Sequence, residues 1–148
     1  MALESVYLRQ TDTRLFQQPM NIDIASALPQ NIANAEQVDA FAARFGRLQD
    51  TVGDKLLPAL LVWLGEPVGP VIDNLARAER WGWLESADDW LQLRQLRNRM
   101  VHEYIRDPQV LADALNAAHE GVPVLLDAAR RMCREIEARS SRPGDGCA

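Results

Sequence analysis

The sequence has few cysteines, a single lysine and no long hydrophobic run. Cys133 and Cys147 are the only two cysteines, too few for a disulfide framework. The longest apolar stretch, LLPALLVWL at 56–64, contains Pro58 and is far shorter than the ~20 residues that span a bilayer. The opening segment, MALESVYLRQ, has no basic region of the kind that begins a signal peptide. These absences predict a reduced, soluble, cytoplasmic protein without a membrane partner.

Motifs of several enzyme classes are missing as well. The chain has no C-x-x-C, H-x-x-x-H or other His/Cys cluster with zinc-ligand spacing, so we expect no metal. It has no glycine-rich nucleotide motif and no G-x-S-x-G nucleophile elbow, and we expect no cofactor. The net charge of −5 argues against a generic nucleic-acid binder, because such proteins carry a basic excess. Any basic site must therefore be local.

Period-2 alternation is almost absent, whereas apolar residues recur at helical spacing along most of the chain. Residues 3–17 are predicted to be a helix, and the stretch between Pro19 and Pro29 to be a short helix or a connection. A capping box at Asn34 and Gln37 predicts the start of the next helix.

Glycine and proline interrupt this third segment and the last one. Gly46 and Gly53 inside the segment indicate close approach of another helix, since each costs about 1 kcal/mol against alanine. Pro58 predicts a kink or a restart, and Gly121 and Pro123 predict a kink in the last helix. Further boundaries are predicted by Pro70 and Gly82 around 71–80, by a capping box at Ser86 and Asp89 before 87–103, and by Asp107 followed by Pro108.

The last helix carries the most regular apolar seam in the chain. Its members recur in steps of three and four: Leu111, Leu115, Ala118, Val122, Leu125, Ala129, Met132 and Ile136. We therefore expect an all-α fold, an antiparallel bundle of four or five main helices in one domain over residues 1–139. A disordered tail is expected at 140–148. The periodicity leaves open whether a second copy of the chain covers part of the seam.

The segment LRNRMVHEYIRDP, residues 96–108, is not ordinary helical packing. Between 94 and 106 it has a net charge of +3 within an acidic chain. Four arginines supply the positive charge: Arg94, Arg97, Arg99 and Arg106. Histidine transfers protons near neutral pH, arginine stabilises charge on phosphate oxygens, and asparagine orients either group. With a ribose 2′-OH as internal nucleophile, Arg97, Asn98 and His102 suffice to cleave RNA, but not DNA.

The spacing of these groups on a helix is only partly favourable. Asn98 and His102 are four residues apart and share a face, whereas Arg97 lies about 140° around the helix from His102. One site therefore needs a wrapped arginine side chain, a distorted helix, or groups from two chains. The other histidine, His119, has no flanking arginine and is interpreted as structural.

The same residues resemble a known family. LRQLRNRMVHEYIRDP is similar to the R-x4-H-x-Y signature of HEPN domains of the HepT-like group. The segments FAARFGRLQDTVGDKLLPALL and WGWLESADDWLQLRQLRNRMVHEY extend this resemblance, which covers roughly residues 35–135. The resemblance implies an antiparallel helical bundle, a homodimer, and a metal-independent endoribonuclease cleft at the dimer interface.

By the same resemblance, Arg97 and His102 are the catalytic pair and Asn98 is the polar residue that commonly follows the arginine. The family acts as the toxin of type VII toxin–antitoxin modules. Its partner, a minimal nucleotidyltransferase antitoxin, transfers AMP to the motif tyrosine, here Tyr104. An AMP group there adds bulk and negative charge two residues from the histidine, which explains how it blocks the cleft.

Two other hypotheses remain open at this stage. In one, the chain is a non-catalytic partner or substrate-binding subunit of a nucleotidyltransferase, and the arginines and Tyr104 bind nucleotide or the partner's active site. In the other, the chain is a helical dimer whose motif only packs. Trp81 and Trp83 flank Gly82 and either stack on bases or, as we expect, pack in the core. Arg94, Arg99 and Arg106 are candidate RNA-phosphate contacts.

Overall fold

The computed structural model describes residues 2–102 and 107–140, and this part of the chain contains helices and no strand. The α-helices are α1 (Ala2–Leu15), α2 (Ile22–Ser26), α3 (Ile32–Asp50), α4 (Leu57–Trp63), α5 (Val71–Trp81), α6 (Ala87–His102) and α7 (Pro108–Arg139). A 3₁₀ turn at Leu28–Gln30 precedes α3, and a π-helical segment at Thr51–Leu56 joins α3 to α4. The all-α prediction is confirmed, and residues 141–148, where we predict a disordered tail, lie outside the described residues.

Most helix boundaries follow the local signals in the sequence. Gly82 ends α5 with a φ of 82°, a left-handed conformation that glycine adopts without strain. The Ser86 hydroxyl accepts a hydrogen bond from the Asp89 amide at 3.1 Å, so this predicted cap is confirmed. The Asp107 carboxylate accepts from two backbone amides in the first turn of α7, with Pro108 at the first helical position.

The predicted start of α3 is wrong by three residues. Asn31 is the N-cap, and its side-chain oxygen accepts from the Asn34 amide at 3.1 Å. The predicted cap, Asn34, is therefore already inside the first turn, and its backbone amide donates to the side chain of the true cap. Upstream, the stretch that the sequence left undecided holds α2, capped by Asn21, and the 3₁₀ turn around Pro29.

Buried apolar side chains from every helix and from both short segments form one core. The largest fully buried ones are Trp90, Phe41 and Phe45. The predicted seam of α7 faces this core: Leu111, Leu115, Ala118, Val122, Leu125, Ala129 and Met132 are buried, and Ile136 packs against them. Helix α7 runs as one helix through Gly121 and Pro123, and a Cβ at Gly121 would collide with the buried Leu93 side chain. Within the described residues, no helix has the length and hydropathy of a membrane span.

Gly46 of α3 and Gly53 of the π-helical segment let α6 approach closely, as the sequence predicts. A Cβ at Gly46 would lie 2.7 Å from Arg97 Nε, and one at Gly53 would lie 3.1 Å from Trp90 Nε1. The second contact belongs to the core, because Trp90 is only 1% exposed. The contact at Gly46 is with the charged side chain of Arg97, and it places the R-x4-H motif of α6 against the surface of α3.

The π-helical segment is a change of register at the end of α3. The Leu57 amide donates to the Val52 carbonyl, five residues back. Pro58, in the first turn of α4, has no N–H to donate to the carbonyl four residues earlier and its ring would crowd that turn. The sequence predicts a kink or a restart at Pro58, and the structure has a new α-helix that begins at Leu57 after the π-helical segment. The wide turn before Pro58 places Asp54 beside α6.

Candidate functional site

Arg97 lies across α3 at the point where Gly46 leaves room for it. Its Cγ and Cδ atoms lie 3.3 and 3.2 Å from the position that a Cβ of Gly46 would occupy. Beyond this contact, Arg97 Nη1 donates to Asp50 Oδ1 at 2.7 Å. The arginine side chain is 41% exposed, so the guanidinium is anchored through Nη1 while the side chain remains accessible to solvent.

A second arginine–aspartate ion pair lies one helical turn nearer the start of α6. Arg94 Nη1 is 3.7 Å from Asp54 Oδ1, an ion pair without a hydrogen bond. Asp54 belongs to the π-helical segment, and wide turns of this type occur frequently at functional sites. The two pairs form a short row of alternating charge along the contact between α3 and α6.

Asn98 and His102 lie on the exposed side of α6, away from this row. Both side chains are exposed, and His102 is the last residue of α6 that the structure describes. Neither side chain forms a hydrogen bond or an ion pair with residues 2–102 or 107–140. The structure therefore brings Arg97 to Asp50 and does not bring it to His102, as the angle of about 140° between the two positions predicts.

Of the remaining motif residues, the structure describes only Arg99. Arg99 is exposed on α6. Tyr104 and Arg106 lie outside the described residues. The predicted basic cluster is weaker than the sequence count suggests, because the fold places Asp50 and Asp54 against two of its arginines.

Asp50 and Asp54 are the residues that the sequence analysis missed. Their positions fall on the same helical stripe as Gly46 and Gly53, at steps of three and four. Two glycines on one face already predict an approaching helix, so an acid between them is a candidate partner for a base on that helix. This stripe is the signal from which Asp50 was predictable.

Trp81 and Trp83, which flank Gly82, pack against each other rather than offering a platform for bases. Their ring centroids are 5.3 Å apart with an angle of 12° between the planes. Trp83 is 3% exposed, which confirms the prediction of core packing for this residue. The Arg139 guanidinium carbon lies 5.5 Å from the centre of the Trp81 ring and covers one face of it.

His119 has the structural environment that its sequence context predicts. Its Nδ1 atom lies 2.6 Å from Asp12 Oδ1, and its ring stacks on Phe16 at a centroid distance of 4.3 Å. Both partners belong to the end of the chain around α1, so His119 joins α1 to α7. The two histidines therefore differ sharply, since His119 has defined partners and His102 has none among the described residues.

A groove of about 910 Å³ lies at the other end of α6. Apolar side chains line it, among them Val6, Trp83 and Val124. Basic and acidic side chains both surround it, for example Arg134 and Glu137, so the groove has no dominant charge. Asp89, which lines the groove on α6, precedes His102 by roughly 20 Å along the helix at ~1.5 Å per residue, so the groove is not part of the motif surface.

In the part of the chain that the structure describes, no group of three or more His, Cys, Asp and Glu side chains is placed to hold a metal ion. Comparison of the chain with protein-family models, with curated proteins and with solved structures finds no match.

Proposed function

We propose that this chain is a HepT-like HEPN protein, a homodimeric helical bundle that cleaves RNA as the toxin of a type VII toxin–antitoxin module. The observation that carries the proposal is the state of Arg97. Asp50 holds one nitrogen of its guanidinium, and the Arg97 side chain as a whole is 41% exposed. An arginine fixed in this way is suited to bind a phosphate with its unused N–H groups.

The proposed reaction uses the RNA itself as the nucleophile. His102 accepts the proton of the ribose 2′-OH, and the 2′ oxygen attacks the adjacent phosphorus. Arg97 stabilises the negative charge that grows on the phosphate oxygens, with Asn98 as the orienting group. The bond from phosphorus to the 5′ oxygen breaks, and that oxygen takes the proton that His102 had accepted. The products are a 2′,3′-cyclic phosphate and a 5′-hydroxyl end. No metal or cofactor takes part in these steps.

The divergence of Arg97 and His102 supports a site built from two chains. The two side chains leave α6 in directions about 140° apart, and Arg97 is directed to Asp50 within its own chain. Two copies of α6 related by a twofold axis each contribute one arginine and one histidine, which resolves the geometry. Val101, beside His102, is 58% exposed, and an apolar residue at this position fits the centre of such an interface.

The alternative is a non-catalytic subunit of a nucleotidyltransferase, in which the same arginines bind nucleotide or the partner. Both hypotheses use the arginines as anion ligands, and only the first requires proton transfer by His102. Cleavage of RNA therefore separates them.

The deciding experiment is an RNA-cleavage assay with the purified chain in EDTA. We expect products that end in 2′,3′-cyclic phosphate, and no cleavage at a position where the substrate carries a 2′-deoxyribose. The intact mass of the protein establishes that it carries no AMP. Unmodified protein that leaves RNA intact would overturn the ribonuclease proposal and favour the partner-subunit alternative.

Neutralisation by a nucleotidyltransferase is a separate prediction that concerns Tyr104. Tyr104→Phe should leave RNA cleavage largely intact, because the phenol is not needed for the proposed chemistry. It should prevent neutralisation by the cognate nucleotidyltransferase and ATP, because no hydroxyl remains to accept AMP. The measurement is residual ribonuclease activity together with a mass increase of one AMP in the unsubstituted chain. Neutralisation that persists in the variant would remove Tyr104 from the switch.

A further inference from the structure

We infer that Asp50 is a positioning residue for Arg97, one that sets the arginine before RNA binds without occupying its phosphate-binding edge. This inference rests on the proposed ribonuclease function and deepens it. It assigns to α3 a part in the site that the R-x4-H spacing on α6 does not contain.

The geometry of the ion pair is the first argument. A guanidinium presents its N–H donors as a planar fork, and a carboxylate that engages the fork with both oxygens fills it. Here the contact joins one nitrogen, Nη1 of Arg97, to one oxygen, Oδ1 of Asp50, at 2.7 Å. The other N–H groups of Arg97 donate to no residue within 2–102 or 107–140. Asp50 thus fixes the orientation of the group and leaves donors for a phosphate.

The surface under the arginine is the second argument. An unrestrained arginine on a helix samples many rotamers, and ordering it on substrate binding costs free energy. The aliphatic part of Arg97 lies against the backbone of α3 at Gly46, where no side chain intervenes. Contact along the stem and a hydrogen bond at the tip restrict the side chain at both ends. The arginine is therefore ordered in the free protein, as preorganised transition-state stabilisation requires.

The neighbouring pair provides a comparison within the same surface. Arg94 and Asp54 are 3.7 Å apart, too far for a hydrogen bond. Asp54 contributes the same charge as Asp50 at nearly the same place, but it does not fix an arginine by a hydrogen bond. If negative charge alone affected the activity, removal of either acid would change it. If the hydrogen bond that positions Arg97 matters, only removal of Asp50 should have the full effect.

The opposite role for Asp50 makes the opposite prediction. If the carboxylate competed with RNA for Arg97, its removal would free the arginine and raise activity. If it positions Arg97, its removal lowers kcat because the guanidinium is no longer held where charge develops. The loss should not appear as a higher KM, since one negative charge beside the phosphate site is removed at the same time.

The test compares Asp50→Ala, Asp50→Asn and Asp54→Ala in the full chain. We expect Asp50→Ala to lose roughly tenfold more kcat than Asp54→Ala, with a KM that is unchanged or lower. Asp50→Asn should recover part of the loss, because its side-chain oxygen still accepts from Arg97 without the charge. Equal losses in kcat for the two alanine variants, or a higher kcat for Asp50→Ala, would overturn the inference.

A second measurement does not depend on cleavage. With ¹⁵N-labelled arginine, relaxation of the Arg97 Nε–H signal reports how rigid the side chain is. We expect an ordered signal in the unsubstituted protein and in Asp54→Ala, and a mobile one in Asp50→Ala. An Arg97 signal that stays equally ordered in Asp50→Ala sinks the positioning role. If the unsubstituted chain does not cleave RNA, the proposed function fails on that result, while this measurement still decides whether Asp50 holds Arg97.

Discussion

Replacement of His102 with alanine is expected to lower kcat for RNA cleavage by about 10²- to 10⁴-fold, the usual contribution of a positioned acid–base group. The thermal unfolding temperature should not fall. His102 is exposed on α6 and has no hydrogen bond or ion pair with the residues that the structure describes. Its loss removes the proposed proton-transfer group without removing a hydrogen bond or an ion pair among the described residues. Steady-state kinetics and thermal unfolding of the same preparations test both halves of the expectation.

The chain contains its own matched control, because it has two histidines. His119→Ala loses the contact with Asp12 and the stack on Phe16. We expect a stability loss of about 1 kcal/mol from these two interactions at a partly exposed site, and little change in kcat. His102→Ala should therefore lose activity and keep its stability, whereas His119→Ala should lose stability and keep its activity. A His102→Ala protein that unfolds early, or that cleaves RNA normally, would contradict the catalytic assignment.

The parts of the fold that were predictable from sequence are those that local interactions determine. The caps at Ser86 and Asp107 and the left-handed end of α5 at Gly82 depend on residues within one turn of the boundary. The seam of α7 is long and regular enough for its buried face to be read directly from spacing. These features follow from side-chain chemistry and helical period, which are properties of short segments.

The start of α3 and the π-helical segment show where local reading fails. Two asparagines three residues apart, Asn31 and Asn34, both suit an N-cap, and the apolar periodicity begins only later, at Val38. The observed cap uses the earlier one. The wide turn at Thr51–Leu56 results from a conflict between the preceding helix and Pro58, and a kink, a restart and a register shift all relieve such a conflict.

The candidate site was predictable in its residue types but not in its contacts. Helical geometry alone places Arg97 and His102 on different sides of α6. The partner of Arg97 is Asp50, 47 residues away in sequence, and no spacing rule within α6 points to it. A pairing of this kind depends on which face of α3 meets α6. That in turn depends on the glycines at the crossing, whose role was anticipated from their cost in a helix.

The second large effect is expected from Gly46→Ala. Its added methyl group would lie 2.7 Å from Arg97 Nε, so the arginine side chain has to leave its position over α3. A displacement of about 1 Å at a reacting group costs roughly 10²-fold, and we expect a loss in kcat of that order. Stability should stay the same or rise by up to about 1 kcal/mol, because alanine is the better helix former and the partly exposed arginine moves into solvent.

Gly53→Ala is the matched control for this prediction, and it should behave in the reverse way. Its methyl group would meet the indole of Trp90 at 3.1 to 3.5 Å, and that ring is 1% exposed, with no free space to move into. Overpacking of this kind should cost about 1 kcal/mol after the gain in helix propensity, with kcat nearly unchanged. Kinetics and chemical denaturation of both variants give the test. If Gly46→Ala instead loses stability and retains kcat, Arg97 is a packing residue, and the site on α6 does not use it.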